Sequence, residues 1–182
     1  MMRVITGSAR GRRLETLPGE DITRPTSESV KEALFSMIQF EIEDAKVLDL
    51  FAGSGQLGIE ALSRGASFCT FVENNKSARA VTERNITHCG FEQQAQVVLR
   101  DAVSFLSGSG RYDIAFLDPP YHKGLIEKAM PLLVEKMNEN GIISCETARD
   151  EELPERFGDF TVWRSRAYGK IKLTVYRKDG KE

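Results

Sequence analysis

Between residues 46 and 145, short apolar runs take turns with segments whose apolar residues recur every three or four positions. The runs KVLDL (46–50), FCTFVE (68–73), 95–100, 113–117 and GIISC (141–145) are predicted strands. The segments 56–64, 76–88, 102–106 and 124–137 are predicted helices, two of them closed by Gly65 and by Cys89-Gly90. The strands are nearly continuously apolar, as parallel strands are when helices cover both faces of the sheet. Strand and helix in alternation predict an α/β fold with a doubly wound, mostly parallel sheet. Upstream, Val30, Ala33, Leu34, Met37 and Ile38 form the stripe of a packed helix opened by Pro25-Thr26-Ser27. The first 25 residues are punctuated by Gly7, Gly11, Pro18 and Gly19 and read as irregular or hairpin-like. After Glu146 the pattern changes: 160–164 and 170–177 read as two strands joined by Ala167-Tyr168-Gly169, an antiparallel pair that finishes the sheet. One domain is expected over residues 1–182, with 1–25 as a basic extension and 26–182 as the α/β core.

Composition changes this picture little. A chain of 182 residues with 41% hydrophobic residues can build a core without metal or disulfide staples. Cys69, Cys89 and Cys145 are odd in number and widely spaced, which reads as buried thiols and gives no support for a disulfide framework or a metal site. No run approaches the roughly 20 apolar residues of a membrane span, and MMRVITGSARGRRLE lacks the apolar stretch of a signal peptide. A cytoplasmic protein is expected.

Charge changes it more. The formal net charge is −2, but residues 1–13 carry four arginines and no acid, and residues 160–178 carry Arg164, Arg166, Lys170, Lys172, Arg177 and Lys178 and no acid. Such segregation permits a basic face on a slightly acidic protein. It also fits solvated strand edges, where Lys and Arg oppose aggregation.

The candidate chemistry lies where predicted strands end. Asp49-Leu-Phe-Ala-Gly-Ser-Gly-Gln-Leu-Gly58 follows the first strand and contains Gly53-x-Gly55-x-x-Gly58. Glycines at this βα turn let the backbone bend tightly and approach a ligand. Glu73 closes the second strand, where a carboxylate can accept from both hydroxyls of a ribose. The two features predict a nucleoside site and leave dinucleotide and S-adenosylmethionine both open. Asp101, after the third strand, could accept from an adenine amino group with the Ala102 N–H on a ring nitrogen, or could simply cap the next helix.

The fourth strand ends in Asp118-Pro119-Pro120-Tyr121. An exocyclic amine of a base is a weak nucleophile because its lone pair is delocalised into the ring. Acceptors aimed at its two N–H protons hold it and favour a pyramidal nitrogen. Asp118 offers a carboxylate, Pro119 a carbonyl stiffened by proline on both sides, and Tyr121 a face for a flipped base. Orientation of this kind accounts for roughly 7–11 kcal/mol of a barrier.

Asp49–Gly55 with DPPY resembles a class I, Rossmann-like S-adenosylmethionine-dependent methyltransferase of the amino-group type. RVITGSARGRRLETLPGEDITRPTSESVKEALFSMI, VLDLFAGSGQLGIEALSRGA, FVENN, FLDPPY and YGKIKLTVYRK together resemble the RsmD family, over Arg3 to Lys178. The resemblance implies methylation of the N2 amine of one guanine in 16S ribosomal RNA, alone or in an assembling small subunit, by a monomer that needs no metal and no membrane. It also implies that Asp49, Phe51, Gly53, Gly55, Glu73, Asn74, Asp101 and Ala102 serve the cofactor, and that Asp118, Pro119, Pro120 and Tyr121 hold the amine. Arg10, Arg12, Arg13, Arg24 and Lys170 are then expected beside DPPY, on phosphates.

Other exocyclic amines, adenine N6 or cytosine N4, suit DPPY as well. A nicotinamide-dependent oxidoreductase would share the glycine loop but would leave DPPY unexplained. A non-catalytic RNA-binding module is disfavoured because loop and clamp are both complete. His88 reads as structural and His122 as a loop residue with a supporting role open to it. Trp163 is expected in the core, and Tyr168 either stacks on a base or packs.

Overall fold

A computed structural model describes residues 1–19 and 27–180, and Arg24, Pro25 and Thr26 lie outside them. Eight strands form one sheet: β1 Lys46–Asp49, β2 Phe68–Glu73, β3 Ala95–Leu99, β4 Tyr112–Leu117, β5 Met137–Ala148, β6 Arg156–Phe157, β7 Phe160–Tyr168 and β8 Ile171–Lys178. Their order is β3-β2-β1-β4-β5-β8-β7-β6. β1 to β5 pair with one another in parallel, and β8, β7 and β6 continue the sheet antiparallel from β5. Five helices are described: α1 Ser27–Met37, α2 Gln56–Ser63, α3 Lys76–Cys89, α4 Ala102–Leu106 and α5 Leu125–Leu133.

The apolar runs are continuous because each strand feeds two core layers. Val47, Ile114 and Phe116 pack with Leu34 and Phe35 of α1, with Ile38 just beyond it, and with Ile59 and Leu62 of α2. Their chain neighbours Leu48, Ala115 and Leu117 point the other way, to Leu106 of α4 and Ile126, Met130 and Leu133 of α5. Cys69, Cys89 and Cys145 are buried free thiols, as expected.

Two boundaries differ from the pattern. The helix predicted over 124–137 stops at Leu133, a 3-10 turn covers Val134–Lys136, and β5 starts at Met137. Tyr112 pairs with Met137 but Ile114 pairs with Ile142, so two steps on β4 face five on β5. The four residues Asn138 to Gly141 face the single Asp113, and their surplus bulges out and breaks the strand period. Arg156 and Phe157 form a two-residue edge strand too short to carry any period.

The N-terminal segment folds back with Arg3 opposite Arg13. Glu60 of α2, fully buried, anchors it by accepting from the Ile5 and Thr6 N–H groups at 2.9 and 3.0 Å. The same carboxylate meets Arg64 at 2.9 Å and the buried Lys31 ammonium at 3.6 Å. Burial pushes the Lys31 pKa down, against the pull of Glu60.

Candidate functional site

The strand order reverses between β1 and β4, and open α/β sheets bind ligands at the carboxyl ends of strands at such a reversal. A cavity of about 590 Å³ opens there. Phe51, Gly53, Glu73, Asn74, Asp101, Ala102, Asp118 and Pro120 line it, so eight of the sequence-predicted residues from four separate loops meet in one wall.

The glycine loop is held from beneath. Gly55 adopts φ 82° as it enters α2, a left-handed conformation that suits glycine. A Cβ on Gly58 would lie 2.3 Å from Phe71 Cε1 and 2.7 Å from Cys69 Sγ, so this glycine lets α2 press onto β2. Asp49 accepts from the Gly58 N–H at 3.0 Å. The Thr82 hydroxyl donates to the Gly53 carbonyl at 2.7 Å, and Asn85 Nδ2 donates to the Ser54 carbonyl at 2.8 Å.

Glu73 is oriented by backbone. Oε2 accepts from the Gly53 N–H at 2.8 Å and Oε1 from the Asn75 N–H at 2.9 Å. The carboxylate thereby fixes the loop to the end of β2 while facing the cavity. Asp101 does two jobs at once: it lines the cavity and caps α4, accepting from the Ser104 N–H at 3.0 Å. The bonds from Ser104 lower its pKa. The capping reading and the ligand reading are therefore compatible at this residue.

Asp49 is placed differently from expectation. It is 2% exposed, under the loop and away from the cavity wall. Burial raises its pKa to about 7, the Gly58 N–H opposes that rise, and the Asp118 and Glu73 carboxylates add to it. Asp49 thus supports the loop from inside, and Gly55 likewise turns the loop without lining the cavity.

The DPPY corner divides between two spaces. Asp118 and Pro120 face the cavity, whereas Pro119 is buried and shares a narrow cleft behind the corner with Tyr121, Glu146 and Glu151. The Tyr121 hydroxyl donates to Glu146 Oε1 at 2.6 Å. Glu151 accepts from the His122 N–H at 2.9 Å and from the Ala148 N–H at 2.9 Å, which ties the corner to the end of β5. His122 itself has φ 59°, is exposed, and lies 3.4 Å from Asp150. Glu146 and Glu151 were not singled out from the sequence. Glu146 had a signal, since it follows GIISC as other acids follow their strands. Glu151 had none, because it lies in an irregular stretch. Leu17 and Pro18, which complete the cavity wall, were also missed.

The basic residues do not gather as expected. Arg12 donates to the His88 carbonyl in the last turn of α3. That is the far end of a 14-residue helix, about 20 Å from its start beside the cavity. Arg10 belongs to the same turn, where the Ala9 N–H meets Ser63 at the end of α2. Arg13 is exposed, opposite Arg3. The hairpin is anchored to the far ends of two helices that both run away from the cavity, and its arginines go with it. Lys170 does reach the carboxyl edge: its carbonyl accepts from the Arg149 N–H at 2.8 Å, just beyond the end of β5.

A parallel sheet of this order, continued antiparallel through β8 and β7, with a glycine loop after β1, an acid closing β2 and DPPY after β4, defines a Rossmann-like methyltransferase of the amino-group type. The model of the family described as conserved hypothetical protein 95 matches residues 2–177. The chain belongs to that family, which is the RsmD family. It is 37% identical to ribosomal RNA small subunit methyltransferase D of Haemophilus influenzae, over 97% of this chain and 93% of that one. To the protein of the same name from Escherichia coli it is 35% identical, over 98% and 90%. A solved structure of a conserved hypothetical protein from Streptococcus pyogenes superposes with a TM-score of 0.78 at 37% identity, covering 84% of this chain and 97% of that one. Among the described residues no helix is long and apolar enough to cross a membrane.

Proposed function

We propose that this protein methylates the exocyclic N2 amine of one guanine in the 16S RNA of the small ribosomal subunit, free or during assembly, using S-adenosylmethionine. One observation carries the reading: the Glu73-braced glycine loop and Asp118 open into the same cavity. The residues fit a cationic nucleoside cofactor, because the Glu73, Asp101 and Asp118 carboxylates all line the cavity. Three carboxylates around one space favour a positive ligand. When bound, S-adenosylmethionine supplies a methyl group already activated on a sulfonium.

Glu73 then accepts from ribose hydroxyls. Asp101 and the Ala102 N–H, with Val103 as an apolar wall, take the base of the cofactor. Phe51 and Gly53 shape the loop side, and Asn74 lies beside Glu73. On the acceptor side Asp118 takes one N–H of the guanine amine and the Pro119 carbonyl the other. Tyr121, held by Glu146, gives the flipped base a flat face. No step needs a Lewis acid. The chain acts as a single domain, a monomer and a cytoplasmic enzyme in this reading, and one continuous sheet from β3 to β6 supports the first of these.

Purified protein with radiolabelled S-adenosylmethionine is expected to label small-subunit ribosomal RNA at guanine N2. Asp118→Ala is expected to lower kcat at least 100-fold while cofactor affinity stays within about threefold, since one aimed acceptor in a closed site contributes a few kcal/mol. Full activity in Asp118→Ala defeats the amine clamp.

A further inference from the structure

A second groove, of about 510 Å³, lies between α1 and β7. Its floor is Ala33, Ser36 and Met37, and its wall is Arg164, Ser165, Arg166 and Tyr168. From Phe160 to Lys170 the chain carries three cations and no carboxylate. Arg164 and Arg166 are exposed, and among the described residues neither is paired with an acid in any ion pair found. The Arg164 guanidinium lies over the Trp163 ring at 4.4 Å, and Arg177 lies over the same ring at 3.9 Å while meeting Glu41 at 2.8 Å. A stacked guanidinium gives up less freedom when it meets an anion. Trp163, half-buried, thus serves as a rest for a surface arginine as well as packing on the core.

The register relates this groove to DPPY. Leu117 pairs with Cys145, Cys145 with Thr174 and Thr174 with Ser165. One residue further toward the carboxyl edge, Arg166 is level with Asp118, three strands away. At about 4.8 Å per strand that is about 14 Å, or roughly four stacked nucleotides at about 3.4 Å each. Tyr168 and Lys170 continue the same line to the edge.

We propose that the groove between α1 and β7 grips the phosphate backbone of the substrate RNA about four nucleotides from the methylated base, with Arg164 and Arg166 as the phosphate ligands. This rests on the methyltransferase reading above. Ala33 and Ser36 leave room on the floor for a backbone, and arginines unpaired with acids among the described residues select a polyanion. Phosphate contacts of this kind position the strand without reading its bases.

The test measures labelled methyl transfer to protein-free small-subunit RNA and to assembling particles at several KCl concentrations. The wild type is compared with Arg164→Gln/Arg166→Gln, Arg164→Lys/Arg166→Lys and Arg166→Gln alone, which leaves the Trp163 stack intact. The double Gln variant is expected to keep kcat within about twofold and to raise KM for naked RNA about tenfold or more. Its plot of log KM against log salt flattens by about 1.4, from a loss of about 0.7 per single-strand phosphate contact. The Lys pair restores most of that slope, and Arg166→Gln alone loses about half of it. An unchanged KM and slope on naked RNA overturns the proposal. A loss confined to protein-containing particles also overturns it, and assigns the groove to a ribosomal protein. Should the wild type label only particles, or no RNA at all, the salt slope of binding to naked RNA by fluorescence anisotropy decides the groove by itself, and only the absence of any labelling counts against the methyltransferase reading.

Discussion

Replacing Asp49 with asparagine should change how stability depends on pH more than how the loop is built. Asp49 is buried beneath the glycine loop and its pKa is raised from an ordinary 3.8 to about 7 by that burial, with Asp118 and Glu73 adding to the rise. Between those two values the unfolded chain has released the proton and the folded chain still holds it. The folded state binds more protons, so stability falls as pH rises through this window and levels off above about 7. A span of about three pH units corresponds to about 4 kcal/mol at most. The carboxamide of the variant can still accept from the Gly58 N–H but does not titrate. Urea unfolding of both proteins at pH 4.5, 5.5, 6.5 and 7.5 reads the difference. The Asp49→Asn variant should gain on the wild type by about 1 kcal/mol per pH unit up to pH 7, after which the gap stays constant. An unsatisfied amide N–H in the variant would cost about 1–3 kcal/mol, but this shifts every point equally and leaves the slope alone. Parallel curves across the whole range would show that Asp49 does not take up a proton on folding, and would refute the reasoning from its burial.

Tyr121→Phe keeps the ring but loses the 2.6 Å bond to Glu146, a contact to a charged acceptor worth about 1.5–3 kcal/mol. It should lower kcat/KM for RNA about tenfold and leave cofactor affinity within twofold; equal losses in both would place Tyr121 on the cofactor side. Gly58→Ala puts a methyl 2.3 Å from Phe71 Cε1. At so short a contact the overpacking lies in the upper part of the usual range, about 2–3 kcal/mol, and exceeds a helix-propensity gain of about 1 kcal/mol, so thermal melts should fall by roughly 2–8 °C; an unchanged or higher Tm would mean that α2 and β2 have room to part.

The parallel half of the fold was legible because burial on both faces leaves a continuous apolar run, and only helices can cover both faces. KVLDL, FCTFVE and residues 113–117 needed no further information, and the observed strands differ from them by at most one residue at an end. The start of β5 was not legible: Asn138, Glu139, Asn140 and Gly141 carry turn chemistry, and it is their bulge opposite β4 that keeps them within a strand. The basic extension failed for a related reason. Four arginines in 13 residues record charge but not direction, and their direction is set by Glu60 and Ser63 of α2 and by His88 of α3, partners 54 to 76 residues away along the chain. Local pattern carries no trace of such anchors. The basic tail was legible only in part: Arg164 falls at the end of the predicted strand, but β7 runs on through Arg166 to Tyr168 because its pairing with β8 continues to Ile171, and its packing against α1 leaves no local pattern.

The five acids at the carboxyl edge show where pattern ends and packing begins. Asp49 and Glu73 close parallel strands, Asp101 and Asp118 follow them, and Glu146 stands just past the last β5 residue paired with β4, so sequence position makes them nearly equivalent. Their hydrogen bonds do not. Asp49 bonds the first turn of α2 and is sealed; Glu73 bonds two backbone N–H groups and still faces the cavity; Asp101 caps a helix from the rim; Asp118 faces the cavity; Glu146 holds a tyrosine behind it. A carboxylate at a strand end is therefore a position from which several roles are reachable, and the neighbouring N–H donors decide among them. Net charge follows the same logic. The acids gather at the cavity, and Arg164, Arg166 and Lys170 lie along the β7 flank, so a total of −2 conceals two surfaces of opposite sign and opposes neither of the proposed ligands.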